Sequence, residues 1–151
     1  MSTATTAATA TTRTPRETVE LLLRTTVEGS RSDLADLYAP DVVVEMPFIR
    51  SSGFPARTEG NATMRARMKA VEGLWSFDSV DGVTLHDTAD PEVVIAEFRV
   101  HGRIAATQQP FSLGYINVIR VADGLIVSSR DYGNPLEADT ILSALPQPLD
   151  S

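Results

Sequence analysis

From Val93 to Tyr132 the chain is an almost unbroken succession of strand-forming sequence, and nothing else limits its fold as strongly. Three segments, Val93 to Ile104, Pro110 to Val121 and Leu125 to Tyr132, are rich in β-branched and aromatic residues. Asp123-Gly124 between the last two is a tight-turn dipeptide, which makes them an antiparallel hairpin. Upstream, Val42 to Met46 predicts a first strand. Trp75 to Val80 and Val83 to His86 predict two more, joined by a turn at Asp81-Gly82, and Asp90-Pro91 turns the chain again. Such a sheet has an apolar face to cover, and helices must cover it.

The sequence supplies them at its two ends and once in its middle. Thr14-Pro15-Arg16-Glu17 has the form of a capping box with proline at the first helical position. Val19, Leu22, Leu23 and Val27 then recur at helical spacing until Gly29. Ser32 predicts the cap of a short second helix carrying Leu34, Leu37 and Tyr38, closed before Pro40. A loop rich in Gly, Ser and Pro runs from Pro47 to Arg57. Met64, Met68 and Val71 mark a third helix that stops at Gly73, and Asn134-Pro135-Leu136-Glu137 repeats the capping logic before Ile141, Leu142 and Leu145. The expected fold class is α+β, a curved antiparallel or mixed sheet whose concave face is closed by helices around a pocket.

One domain over residues 15–146 is expected, with tails at 1–14 and 147–151. The first fourteen residues are nearly all Thr, Ala and Ser and lack the basic start and apolar stretch of a secretory signal. No apolar run reaches the roughly 20 residues that a membrane span needs, so a cytoplasmic location and no membrane partner are expected. A net charge of −7 without any basic run argues against nucleic acid as a partner. The chain has no cysteine, which excludes disulfides and thiolate chemistry. Two widely separated histidines form no metal motif, and there is no Gly-rich nucleotide loop, so no metal and no cofactor are expected.

Alternate residues of a strand share a face. On the strand from Val93 one face carries Glu97, Arg99, His101 and Arg103. The other carries Val94, Ala96, Phe98 and Val100 and is apolar throughout. Phe111, Leu113, Tyr115, Asn117 and Ile119 share a face of the next strand, Val127, Ser129 and Asp131 of the last, and Val43 and Glu45 of the first. Periodicity alone leaves open which face looks inward. His86 has no partner nearby in sequence and reads as structural.

Several segments carry a resemblance: Leu37-Tyr38-Ala39-Pro40-Asp41-Val42-Val43-Val44, Glu59-Gly60, Arg99-Val100-His101, Ala122-Asp123-Gly124-Leu125-Ile126 and Arg130-Asp131-Tyr132-Gly133-Asn134-Pro135. From Leu37 to Leu145 the sequence resembles the SnoaL-like branch of the NTF2-like superfamily, a group that includes limonene epoxide hydrolase, polyketide cyclases and the phenazine-biosynthesis A/B proteins. Against the Asp-Arg-Asp arrangement of limonene epoxide hydrolase, Arg99 and Asp131 match two members. His101 replaces the third, and the family's Tyr and Asn fall at Val43 and Glu45. Aldol-type cyclases place a His near His101 and an acid on the following strand, where this chain has Tyr115 and Asn117. The resemblance implies that Arg99, His101 and Asp131 all point into the pocket.

On that basis Asp131, His101, Arg99, Glu45 and Tyr115 are the expected catalytic residues. Asp131 is held ionised by Arg99, His101 passes protons, Glu45 pairs with His101 or stays protonated, and Tyr115 donates to an enolate oxygen. Trp75, Phe48, Leu113, Phe111, Asn117 and Val43 are the expected substrate contacts. The first reading is a cofactor-independent tailoring enzyme, a cyclase or isomerase acting on a polyketide-like hydrophobic small molecule in natural-product biosynthesis, as in antibiotic production. An epoxide hydrolase is the second reading and a non-catalytic ligand-binding module the third. A homodimer formed through Val94, Ala96, Phe98 and Val100 on the outer sheet face is expected as well.

Overall fold

The computed structural model describes residues 12–49 and 55–146. Most of the expected N-terminal tail (1–11), the middle of the Gly- and Ser-rich loop (50–54) and the C-terminal tail (147–151) lie outside the described residues. The elements in order are α1 (Pro15–Glu28), α2 (Arg31–Ala35), β1 (Tyr38–Glu45), β2 (Arg57–Glu59), α3 (Asn61–Ala70), β3 (Trp75–Asp87), β4 (Val93–Ile104), β5 (Pro110–Ala122), β6 (Leu125–Gly133) and α4 (Pro135–Ala144). The strands form one six-stranded sheet in the order β2-β1-β6-β5-β4-β3. Only β1 and β6 run parallel; every other neighbouring pair is antiparallel. Among the described residues no helix is long and apolar enough to cross a membrane.

The capping box of α1 forms reciprocally. Glu17 N donates to Thr14 Oγ1 at 3.1 Å, and Thr14 N donates to Glu17 Oε1 at 2.8 Å. Thr18, fully buried, ties this helix to the β5–β6 hairpin by donating its hydroxyl to Gly124 O at 3.0 Å. The hairpin turns where Asp123 and Gly124 both take positive φ, 52° and 76°.

Four local expectations need correction. The cap of α2 is Ser30 rather than Ser32, because Ser30 and Asp33 satisfy each other's backbone amides. Tyr38 leaves the helical hairpin and opens β1, where it pairs in register with Ile126. Asp81-Gly82 does not turn the chain: β3 runs straight through it as one strand, and the irregularity at Asp81/Thr84, with Gly82 at φ 63°, is a bulge. At the start of α4 the Asn134 side chain caps as expected, but Glu137 does not reach back. It accepts instead from Gly114 N at 2.9 Å and from Arg99.

The register settles which face is covered. On β4, Val94, Ala96, Val100 and Ile104 are all at most 2% exposed, whereas Glu97 and Arg103 are exposed. The apolar face is the inner face, and the strip Val94, Ala96, Phe98 and Val100 cannot be the outer surface of a dimer. Two apolar clusters lie on it. Val19, Leu22, Leu37, Val42, Val94, Ala96, Ile119, Val121 and Ile126 pack beneath α1. Val100, Ile104, Leu113, Ala138, Ile141 and Leu145 pack beneath α4. Phe98 packs against both.

Candidate active site

Between the two clusters the inner face changes from apolar to polar. Cross-strand pairing puts Asn117 opposite Asp131, Ile119 opposite Ser129, and Tyr115 opposite Gly133. Phe98 stands opposite Tyr115 and Ala96 opposite Asn117. Tyr38 reaches the same region from the first residue of β1, whose backbone is anchored by Asn61 Nδ2 donating to Tyr38 O at 2.9 Å. Tyr38, Tyr115, Asn117, Ser129 and Asp131 thus gather at the seam between two dry cores. Tyr38, Val44, Phe98, Tyr115 and Asp131 are only partly buried as residues, and Phe98 and Tyr115 border an open groove at one end of the seam.

The electrostatics follow from that position. The Asp131 carboxyl lies deep, and its loss of water pushes its pKa up to about 6; a hydrogen bond from the Ser129 hydroxyl offsets only part of this. Burial also raises the pKa of both tyrosines above the ordinary phenol value. The Asp131 charge adds to the shift in each, and Tyr115 adds further to that of Tyr38. Both phenols therefore keep their protons at neutral pH and remain donors. Tyr115 is held from two sides. Its ring stacks on Phe98 at 5.4 Å and 20°, and a Cβ on Gly133 would fall 2.9 Å from Tyr115 Cε1. Glycine at 133 is what lets that ring lie flat against β6.

Arg99 and His101 do not join this group. Both are on the outer face of β4, opposite to the direction the resemblance implies. Arg99 crosses over Gly114, where a Cβ would sit 2.7 Å from Nη2, and donates from Nη1 to Glu137 Oε2 at 2.7 Å and Ser112 Oγ at 3.0 Å. Burial alone would raise the Glu137 pKa, but the bonds from Arg99 and the Gly114 amide outweigh it and hold the carboxyl below its ordinary value. His101 Nε2 comes within 3.1 Å of Asp81 Oδ2, off the line of a directed hydrogen bond. His86, which has no sequence-local partner, meets Glu97 across the strands. Glu45 also points outward, to Arg57 at 3.2 Å, and Val43 shares that face. Phe48 is 55% exposed and packs edge-on against Tyr132.

Of the expected wall residues, Leu113, Phe111 and Trp75 are on the inner face but belong to the apolar cluster under α4. Asn117 is in the seam. Tyr38 and Ser129 are seam residues that the site assignment from sequence lacks. The Ser129-x-Asp131 alternation could have found the serine, whereas Tyr38 needed knowledge of the β1–β6 pairing. Among the described residues no cluster of His, Cys, Asp or Glu could hold a metal ion.

Because Arg99 is 40% exposed and its partner sits at the rim, Arg99→Met should change stability by less than about 1 kcal/mol. It should leave turnover unaltered, and urea unfolding with a steady-state assay checks both.

A helix-covered, curved six-stranded mixed sheet is the fold of the NTF2-like superfamily. The chain belongs to the SnoaL-like family within it: the SnoaL-like domain model matches residues 19–129. The uncharacterized Bacillus subtilis protein YesE is 33% identical over 120 residues, 80% of this chain and 81% of that one. The PhzA/B-like protein PA3332 of Pseudomonas aeruginosa is 33% identical over 114 residues, 76% and 79% of the two chains. Among solved structures, a presumed isomerase from Bacillus subtilis superposes with a TM-score of 0.77 at 31% identity, covering 85% of this chain and 92% of that one. A presumed polyketide cyclase from Pseudomonas putida shares the fold, with a TM-score of 0.70 at 20% identity over 83% and 96% of the chains.

Proposed function

We propose that this protein is an isomerase or cyclase that moves a proton on an uncharged, hydrophobic carbonyl compound bound in the seam, with Asp131 as general base. The observation that supports this most directly is a carboxylate raised to about 6 beside two phenols that stay protonated. Ionised Asp131 takes a proton from the carbon next to the carbonyl, and the electron pair moves onto the carbonyl oxygen. Tyr115 and Tyr38 donate hydrogen bonds to that oxygen as it gains charge. Returning the proton to another carbon isomerises the substrate. Attack of the enolate carbon on a second carbonyl closes a ring instead, and the alkoxide formed takes the proton. Proton transfer of this kind requires no cofactor.

Arg99 and Arg57 are both paired with carboxylates outside the seam, so neither supplies a counter-charge to an anionic substrate beside Asp131. Ketones and aldehydes fit better than acids. The epoxide-hydrolase reading needs Arg99 beside Asp131, and Glu137 holds Arg99 on the other side of the sheet. The experiment is to assay Asp131→Asn and Tyr115→Phe on candidate hydrophobic ketones, following exchange of the acidic proton for deuterium. Loss of exchange in both variants with binding retained supports the reading; full exchange in Asp131→Asn contradicts it.

Pairing of two copies is proposed through the outer face, not the strip expected from sequence. There Ile116 and Phe48 are 47% and 55% exposed and border a groove of about 670 Å³ that runs past Tyr132 and Pro135 and reaches Phe98 and Tyr115 at the sheet's end. Sedimentation should show a dimer at micromolar concentration that Ile116→Asp converts to monomer; a wild-type monomer would end the proposal.

A further inference from the structure

Asn117 is 6% exposed, and its Oδ1 is buried with no hydrogen-bond partner. It lies directly across from Asp131 on β6 and from the fully buried Ala96 on β4. The one hydroxyl beside it on β6, Ser129, already donates to Asp131. Buried acceptors are nearly always paired, because leaving one dry opposes folding. A buried, unpaired amide oxygen across the strands from the Asp131 carboxyl is an acceptor that a ligand donor can satisfy.

We propose that Asn117 selects the substrate, and that the substrate carries a hydroxyl or N–H donor close to the carbonyl whose neighbouring carbon Asp131 deprotonates. This rests on the seam being the substrate site and narrows the substrate class from carbonyl compounds to hydroxy (or amino) carbonyl compounds. The complementarity is fourfold. The phenols of Tyr38 and Tyr115 offer donors to the carbonyl oxygen, Asp131 faces the C–H bond, and Asn117 Oδ1 accepts from the adjacent donor. A ligand with a carbonyl alone leaves the amide oxygen unpaired and gains less.

The test uses three uncharged probes of nearly one shape: benzoin, a hydroxy ketone; deoxybenzoin, which lacks the hydroxyl; and benzoin methyl ether, which keeps the oxygen but has no donor. Binding is followed by NMR, through shifts of the Asn117 side-chain amide and the Tyr38 and Tyr115 rings. Benzoin should bind about 10-fold more tightly than either analogue, the gain of one buried hydrogen bond. Asn117→Leu should lower benzoin affinity to that of deoxybenzoin, and Asp131→Asn should leave the preference in place. Equal affinity for benzoin and its methyl ether in the wild-type protein would overturn the role of Asn117 while leaving the seam as a ketone site. If no probe shifts the seam signals although the protein is folded, the seam itself is not the substrate site, and both readings fall.

Discussion

Replacing Asp131 by Asn should lower kcat by about 10²- to 10⁴-fold, the range expected for loss of a general base, and should at the same time make the protein more stable at pH 8. The second half follows from the direction of the pKa shift. In the unfolded chain the carboxyl ionises near 3.9, and in the fold it ionises at about 6. Between those values the folded state holds more protons than the unfolded one, so stability falls as pH rises through that interval, and the deficit is complete above the folded pKa. Asn cannot ionise, and its amide oxygen still accepts from Ser129. The rise to about 6 sets an upper bound near 3 kcal/mol, and with one end of the seam open to water a gain of about 1–2 kcal/mol is expected. Thermal unfolding of the two proteins at pH 4 and pH 8 checks it: the difference should appear only at the higher pH. A residue serving stability alone would lose stability when replaced, so a gain with lost turnover marks a group retained for chemistry.

Phe98→Ala should cost about 3 kcal/mol, near the lower end for large-to-small aromatic substitutions because the ring is only partly buried. Phe98 is where the cluster under α1 meets the cluster under α4, so its loss opens space in both. It also removes the stacking surface that fixes Tyr115. The variant should therefore lose activity beyond what its folded fraction explains. Phe48→Ala removes a ring of the same size from a surface position 55% exposed and should change stability by less than about 0.5 kcal/mol. Urea unfolding of the pair separates a connecting core residue from a surface one.

Most of the architecture is readable from local chemistry. The three long strands, the hairpin at Asp123-Gly124 and the capping box at Thr14 appear where turn residues, β-branched runs and reciprocal caps place them. The grouping of Phe111, Leu113, Tyr115, Asn117 and Ile119 on one face of β5 is likewise legible, and pairing with the buried face of β4 makes it the inner one. On β4 the alternation separates the apolar set Val94, Ala96, Phe98 and Val100 from the polar one without saying which is covered. The resemblance to limonene epoxide hydrolase implies that the polar set faces inward, and the structure buries the apolar set instead.

The polar string Glu97-x-Arg99-x-His101-x-Arg103 supports either reading in isolation. What makes it a surface is the neighbouring chain: Asp81 beside His101, Asp78 bonded to Arg103, His86 to Glu97 and Glu137 to Arg99. Those partners lie eleven or more residues away and depend on register, which no local pattern encodes. On β6 the face shared by Ser129 and Asp131 does not extend to Val127, since the register shift near Arg120/Val121 places Ile126, fully buried, on the inner side. Tyr38 was hidden for a similar reason. Only the parallel pairing of β1 with β6, the one crossover in the sheet, brings it to the seam.

Asp131 lies on the inner face with its charge disfavoured, on the side of the sheet away from Arg99. A ¹³C NMR titration of its side-chain carboxyl, assigned by comparison with Asp131→Asn, tests this without any substrate. The midpoint should lie close to 6 and stay there in Arg99→Met. A midpoint below 4 that rises when Arg99 is removed would mean that Asp131 is paired with that guanidinium, and would contradict both the face assignment and the mechanism built on it.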